Sequence, residues 1–178
     1  MATAAIIVHD GFTDAEFITV YHMLKAEGFD VTVYSPNGGP VTGVCGWIHK
    51  TKMATGRITI PIGDGNHEAD ILCLIGGVKS IEYLRGSRPL IDWIKRHYDA
   101  NKLIASICWG ASLLIETGKI QGRQISGYYN CATDIKNAGA CFIGDPVVVD
   151  YPFVTSPHYD FSGIWMKEVL RVWQSRNE

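Results

Sequence analysis

No stretch of this 178-residue sequence is apolar for long enough to cross a bilayer as a helix. The chain goes directly into a short strand-like run, Ala4-Ala5-Ile6-Ile7-Val8, with no basic leader before it. An excess of charge of one sign is also missing: 16 Lys and Arg stand against 18 Asp and Glu, a formal net charge of -2. That balance gives no electrostatic reason to expect nucleic acid or an anionic membrane as a partner. Closely spaced cysteines are lacking too. The five present, Cys45, Cys73, Cys108, Cys131 and Cys141, are odd in number and widely spread, and no pair has the spacing of a zinc knuckle or a redox dithiol. With the absent leader, this predicts reduced thiols in a cytoplasmic protein. Internal repeats, low-complexity tracts and shifts of composition are not visible, so one domain spanning 1–178 is expected.

What is present is organised around Lys102-Leu103-Ile104-Ala105-Ser106-Ile107-Cys108-Trp109-Gly110-Ala111-Ser112-Leu113-Leu114-Ile115. An apolar run of strand length stops at a cysteine, and a second apolar stretch with helical spacing begins at once. The pattern predicts strand, sharp turn and helix with Cys108 at the turn, an elbow that places the sulfur beside the amides of the following helix. A thiol so placed ionises more readily and is a better nucleophile. The plainer alternative is one more buried core cysteine.

Elsewhere, short apolar strands alternate with helical patterns. After the first strand, His9-Asp10-Gly11-Phe12-Thr13-Asp14 is a turn-rich loop from which Thr13 or Asp14 can cap a helix running to about Glu27 and closed by Gly28. Glu16 in its first turn is either a surface carboxylate facing the helix dipole or, if the loop lies at the carboxyl end of the strand, a site residue. Phe29 to Tyr34 reads as a strand, and residues 41–62 as a small hairpin or excursion. His49, Lys50 and His67 read as surface residues, and His97 as a rim residue of a helix from about Pro89 to Tyr98.

Ile71-Leu72-Cys73-Leu74-Ile75 is unbroken apolar and runs straight into Gly76-Gly77, whose amides can be turned toward an oxyanion or can simply form a tight turn. Later come a helix ending at Thr117-Gly118, a short strand from Arg123 to Ser126, and a helix from about Cys131 to Ala138. An antiparallel pair formed by Val147 to Asp150 and Phe153 to Thr155 precedes a last helix with Trp165, Val169 and Val172 on its buried side. The alternation predicts a three-layer α/β sandwich with a mostly parallel central sheet.

Three separated segments, Asp10-Gly11-Phe12 followed by Glu16, Gly76-Gly77, and Ile107-Cys108-Trp109-Gly110, together resemble the ThiJ/PfpI superfamily. The PfpI branch is matched further by Gly118 to Arg123, Asp134, Asn137 to Ala140, Asp145 to Asp150 and Val154-Thr155-Ser156. The resemblance spans nearly the whole chain and implies the flavodoxin-like fold shared with class I glutamine amidotransferases. It implies a nucleophile at Cys108, a carboxylic acid at Glu16 bonded to it, and oxyanion donors from the amides of Gly77 and Trp109, with Gly76 beside them. It also implies a homodimer or a hexamer of dimers, no cofactor, and a small-molecule substrate. Known members include cofactor-free glyoxalases, deglycases, isocyanide hydratases, intracellular peptidases and redox-responsive chaperones.

The sequence departs from that pattern in two places. Trp109 stands where the peptidase-like branch has His directly after the nucleophile, which removes the base on which a peptidase reading rests. After Thr155-Ser156 comes Pro157-His158-Tyr159-Asp160 where relatives tend to have Arg, and His158 and Asp160 lie close to where amidotransferases carry the rest of their triad. A Cys108-His158-Asp160 triad is chemically reasonable, and a loop histidine without a catalytic role is its alternative. Tyr128 is either part of an apolar site mouth with Trp109 or a packing or dimer contact. The leading expectation is a lyase or hydratase acting on a small carbonyl or carbon-nitrogen electrophile through Cys108 and Glu16. The alternatives are an amidase or peptidase using His158, and a redox-sensing chaperone using oxidised Cys108.

Overall fold

The computed structural model describes residues 1–36, 40–45 and 69–177. His49, Lys50 and His67, and most of the expected excursion over 41–62, lie outside the described residues.

Alternation along the strands determines the layering. In β1 (Thr3–Ile7), Ala4 and Ile6 join one apolar cluster while Ala5 and Ile7 join the other. The same split occurs in β3 (Ile71–Leu74), where Ile71 and Cys73 face one side and Leu72 and Leu74 the other. In β4 (Leu103–Ile107), Leu103, Ala105 and Ile107 oppose Ile104. Since successive side chains of a strand point to opposite faces, continuous apolar runs of this kind are stable only when helices cover both faces. On one face lie α1 (Asp14–Ala26), with Phe17, Val20 and Leu24, and the C-terminal α6 (Ser162–Gln174), with Trp165, Met166 and Val169. The other face is covered by α2 (Val78–Arg85), α3 (Arg88–Asp99), α4 (Ala111–Thr117) and α5 (Ala132–Asn137). Each fully buried Leu or Ile in these layers contributes about 1.5–3 kcal/mol of transfer free energy. The indole of Trp165 adds direction, donating to the Val154 carbonyl at 3.0 Å and so fixing α6 against the sheet.

The sheet has strand order β2-β1-β3-β4-β8-β7, where β2 is Asp30–Tyr34, β7 Val148–Asp150 and β8 Phe153–Ser156. Every pairing is parallel except β7 with β8. The result is the expected three-layer flavodoxin-like sandwich. Two short strands, β5 (Gln124–Ile125) and β6 (Cys141–Phe142), form a separate parallel pair that brackets α5. The short strand expected over Arg123 to Ser126 is thus present over Gln124–Ile125, and its mate at Cys141–Phe142 is too short for periodicity to show it in the sequence.

The order of strand addition reverses between β1 and β3: β1 is followed by the edge strand β2, and the chain then crosses back to β3. In open α/β sheets, that reversal opens a crevice at the carboxyl ends of the strands. The loops after β1, β3 and β4 all emerge there. His97 is a correction. It is 1% exposed, not at a rim, and its Nε2 bonds the Leu103 carbonyl at 3.1 Å, tying α3 to the start of β4. Its position near the helix end suggested a surface; the strand beneath α3 supplies an acceptor that makes burial affordable.

Candidate active site

At the end of β4 the backbone turns on Cys108, which adopts φ 59° and opens a short 3-10 segment, Cys108–Gly110, leading into α4. Left-handed backbone at a residue with a Cβ costs about 1–2 kcal/mol and persists where surrounding packing over-determines it. Gly110 supplies part of that constraint, since a Cβ there would lie 2.5 Å from the Leu74 carbonyl oxygen. Gly127 supplies the rest: its Cβ would lie 2.5 Å from the Ala111 methyl, and the Tyr128 amide after it donates to the Cys108 carbonyl at 2.9 Å.

Glu16 reaches the elbow from the first turn of α1. It is fully buried, so the surface-carboxylate alternative does not hold. Its Oε2 accepts from the Gly76 amide at 2.8 Å, and its Oε1 is buried without a hydrogen-bond donor. Burial pushes the carboxyl up to about 8, against the opposing pull of the Gly76 amide and the neighbouring Cys108 and Thr13 side chains. The acid is therefore mostly protonated at neutral pH, and the oxygen that lacks a donor is the one suited to carry the proton. The expectation that the elbow eases ionisation of the thiol is corrected: burial raises Cys108, as does charge on Glu16, and only the Trp109 amide favours the thiolate. Two groups this close titrate as a pair, and protonation of the carboxyl removes the repulsion that opposes the thiolate.

The diglycine turn has two separate functions in the packing. Gly76 allows close approach: a Cβ there would lie 2.8 Å from the Cys108 Cβ and 2.9 Å from Glu16 Oε2. Its amide is engaged by Glu16 and is thereby directed at the acid, not at an oxyanion. Gly77, at φ 105°, lies against the β1–α1 loop, where a Cβ would come 2.4 Å from the Gly11 carbonyl oxygen. Gly77→Ala is expected to cost about 2–4 kcal/mol, combining left-handed strain with a backbone clash. Urea denaturation checks this, and an unchanged midpoint would refute it.

A row of rings leads outward from the elbow. Trp109 stacks on Tyr128 with centroids 5.5 Å apart, and Tyr128 stacks on His158 at 6.2 Å. His158 in turn meets Tyr159 at 3.9 Å. His158 Nδ1 lies 3.1 Å from the Asp160 carboxylate and 3.4 Å from the Asp160 amide. With Nδ1 protonated the carboxylate accepts; with it bare the amide donates. The structure thus brings together Cys108, Glu16, Gly76, Gly77 and the Trp109 amide. It pairs His158 with Asp160 and stacks it on Tyr128, and among the described residues the contacts given for the thiol do not include His158.

Three contributors escaped the sequence reading. Thr13 sits beside the Glu16 carboxyl. Asp14 is buried and accepts from the Cys45 amide at 2.8 Å, fastening the 42–45 segment over the loop. Cys131, read only as a helix start, is buried close enough for its charge to act on Cys108. Thr13 and Asp14 each carried a signal, as the two possible caps, but Thr13 makes no capping hydrogen bond with its side chain, and Cys131 carried none.

The fold and the elbow can be set against known proteins. The chain is 34% identical over 167 residues to a deglycase of Thermococcus kodakarensis, covering 94% of this chain and 96% of that one. It is 32% identical over 161 residues to the deglycase PfpI of Pyrococcus furiosus, covering 90% and 93%. Among solved structures, a two-domain protein of Anabaena variabilis with DJ-1/ThiJ/PfpI-like and ferritin-like domains superposes with a TM-score of 0.85 at 25% identity. That match takes in 95% of this chain and 49% of the two-domain protein, about half its length. Since the DJ-1/PfpI family model also matches residues 2–172, nearly the full length, the chain belongs to the DJ-1/PfpI family.

Proposed function

We propose that this protein is a cofactor-independent cysteine enzyme of the lyase or hydratase type, acting on a small carbonyl or carbon-nitrogen electrophile in the manner its deglycase-named relatives suggest. One observation carries the reading: a fully buried carboxyl, held mostly protonated at neutral pH, lies against the elbow thiol. Cys108 Sγ adds to the substrate carbon, and the carbon-oxygen π electrons move to oxygen. The Trp109 amide stabilises the thiolate before attack, and the Gly77 amide is available for the oxyanion. The thiol proton ends on that oxygen, giving a neutral thiohemiacetal. Glu16 then relays a proton between substrate carbon and oxygen, as an acid with a value near the working pH does most efficiently. The stacked Trp109 and Tyr128 rings provide a flat apolar wall suited to a small electrophile.

Alkylation of Cys108 as a function of pH tests the assignment, in the parent and in Glu16→Gln and His158→Ala. The parent is expected to show a coupled two-step profile that collapses to one ionisation in Glu16→Gln and persists in His158→Ala. Turnover of small aldehydes should fall at least about 100-fold in Glu16→Gln.

The 3.1 Å His158–Asp160 pairing favours a second reading, an amidase or peptidase in which His158 takes the thiol proton. It would replace the first if His158→Ala raised the thiol value while Glu16→Gln left it unchanged.

A further inference from the structure

We propose that Cys131 is a resolving thiol for Cys108, capturing the oxidised nucleophile as an intramolecular disulfide before it over-oxidises; this rests on Cys108 being the reactive thiol of the reading above. The two cysteines are 23 positions apart in sequence yet are linked through the Gly127–Tyr128 loop on one side and through Ser112 on the other. The Tyr128 amide donates to the Cys108 carbonyl at 2.9 Å, and the Cys131 amide donates to the Tyr128 carbonyl at 2.7 Å, closing one tight turn. Ser112, one helical turn beyond Cys108 on the same continuous segment, places its Oγ 3.6 Å from Cys131 Sγ. Gly127 packs on the Ala111 methyl and the Cys108 carbonyl, holding the connecting loop against the elbow. No side chain of the catalytic pair needs Cys131, so its thiol is not accounted for by the chemistry of Glu16 and Cys108.

Exposure sets the order of events. Cys131 is fully buried, whereas Cys108 is 5% exposed and opens at the carboxyl ends of the strands, so an oxidant meets Cys108 first. A hydroperoxide takes the sulfur from thiolate to sulfenic acid, and the peroxide is reduced to the alcohol, or to water from hydrogen peroxide. Cys131 Sγ then attacks the Cys108 sulfur, the sulfur-sulfur bond forms, and hydroxide leaves with the Cys131 proton as water. Bringing the sulfurs into bonding distance requires the Tyr129–Cys131 turn to move inward. Tyr129 at the start of that turn is 51% exposed, but Cys131 itself is packed in the core beside Ser112, so the shift takes place by local opening of the turn. Reduction by an external dithiol restores both thiols.

The test treats the purified full-length protein with hydrogen peroxide and reads intact mass and non-reduced peptide maps. The expected product has lost two hydrogens, carries a peptide crosslink between Cys108 and Cys131, and regains turnover on treatment with a dithiol. In Cys131→Ser, and in Cys131→Ala as a second variant, Cys108 is expected to gain two oxygens instead, with irreversible loss of activity at least about fivefold faster than in the parent. Sulfinate forming at the same rate in parent and variants would overturn the proposal, as would a crosslink from Cys108 to Cys45, Cys73 or Cys141. Peroxide treatment that leaves Cys108 unmodified and fully alkylatable would overturn both this inference and the nucleophile assignment beneath it, while sulfinate without crosslink overturns this inference alone.

Discussion

Cys108→Ala is expected to lose at least about a thousandfold in kcat/KM toward any small electrophile that the parent turns over, while its unfolding free energy changes by no more than about 1 kcal/mol. The two halves of this expectation have different causes. The sulfur forms a bond to the substrate, so its removal takes away the covalent route and leaves only what the amides and Glu16 contribute by binding. The backbone is set by other residues: Gly110 against the Leu74 carbonyl, Gly127 against Ala111, and the Tyr128 amide on the Cys108 carbonyl. Alanine meets the same constraints at φ 59° and carries the same left-handed strain, so the only stability cost is one small buried sulfur. Cys108→Gly gives an internal control. Glycine relieves the strain, which offsets the lost burial by about 1–2 kcal/mol, and the variant should be as inactive as alanine but no less stable. Steady-state kinetics and urea denaturation on the same preparations decide the matter. Retention of a tenth of the parent's kcat/KM by either variant would sink covalent catalysis at this residue.

The elbow was legible because three local rules agree there. An apolar strand, a cysteine and a helical apolar stretch follow one another with no linker, and only a sharp turn connects them. The diglycine after β3 and the Thr117-Gly118 helix end were readable for the same reason, and Gly118 indeed closes α4 in left-handed conformation at φ 67°. Glu16 was only half legible. Helix position fixes which residue lies in the first turn of α1, but whether that turn meets water or another loop depends on the strand order, and the β2-β1-β3 reversal places it beside Gly76 and Cys108. His97 failed for a related reason, since a histidine near a helix end carries no local mark of the carbonyl waiting beneath it. The contact of Cys131 with Ser112 joins segments 19 residues apart, and no periodicity encodes such a meeting; Thr13 and Glu16 are only three residues apart, and what the sequence left open was that both side chains turn toward the elbow.

The geometry also assigns a cost to this arrangement. A carboxyl that is useful because it is buried and protonated is one whose ionisation the fold opposes, and the same displaced titration that favours proton relay must appear in the stability of the chain. Glu16 has one oxygen satisfied by an amide and one without a partner, so burial outweighs what the fold offers the anion.

Glu16→Gln should therefore stabilise the protein, by an amount that grows with pH. The carboxyl titrates near 8 in the folded chain, raised by burial, against 4.5 as its ordinary value. Between those values the unfolded chain has released the proton and the folded chain still holds it, so the folded state binds more protons and stability falls as pH rises. Below pH 4.5 both states are protonated and nothing is lost; above pH 8 both are ionised and the loss is complete. At 1.36 kcal/mol per pH unit the parent forfeits about 3 kcal/mol by pH 7 and about 4–5 kcal/mol above pH 8. Glutamine has no proton to lose. Its amide oxygen can accept from the Gly76 amide as Oε2 does, and its NH2 occupies the place of the acid proton, so the packing is retained. Variant and parent should accordingly have nearly equal unfolding free energies at pH 4, and the variant should be more stable by about 3 kcal/mol at pH 7, roughly 6–12 °C in Tm for a chain of this size. Urea denaturation at pH 4, 7 and 8.5 measures the gap directly, because the unfolded cysteines, which ionise at about 8.5, add nearly the same slope to parent and variant. A gap that stayed constant across those three values would mean that Glu16 titrates alike in the folded and unfolded chain, and the protonated-acid relay would lose its foundation.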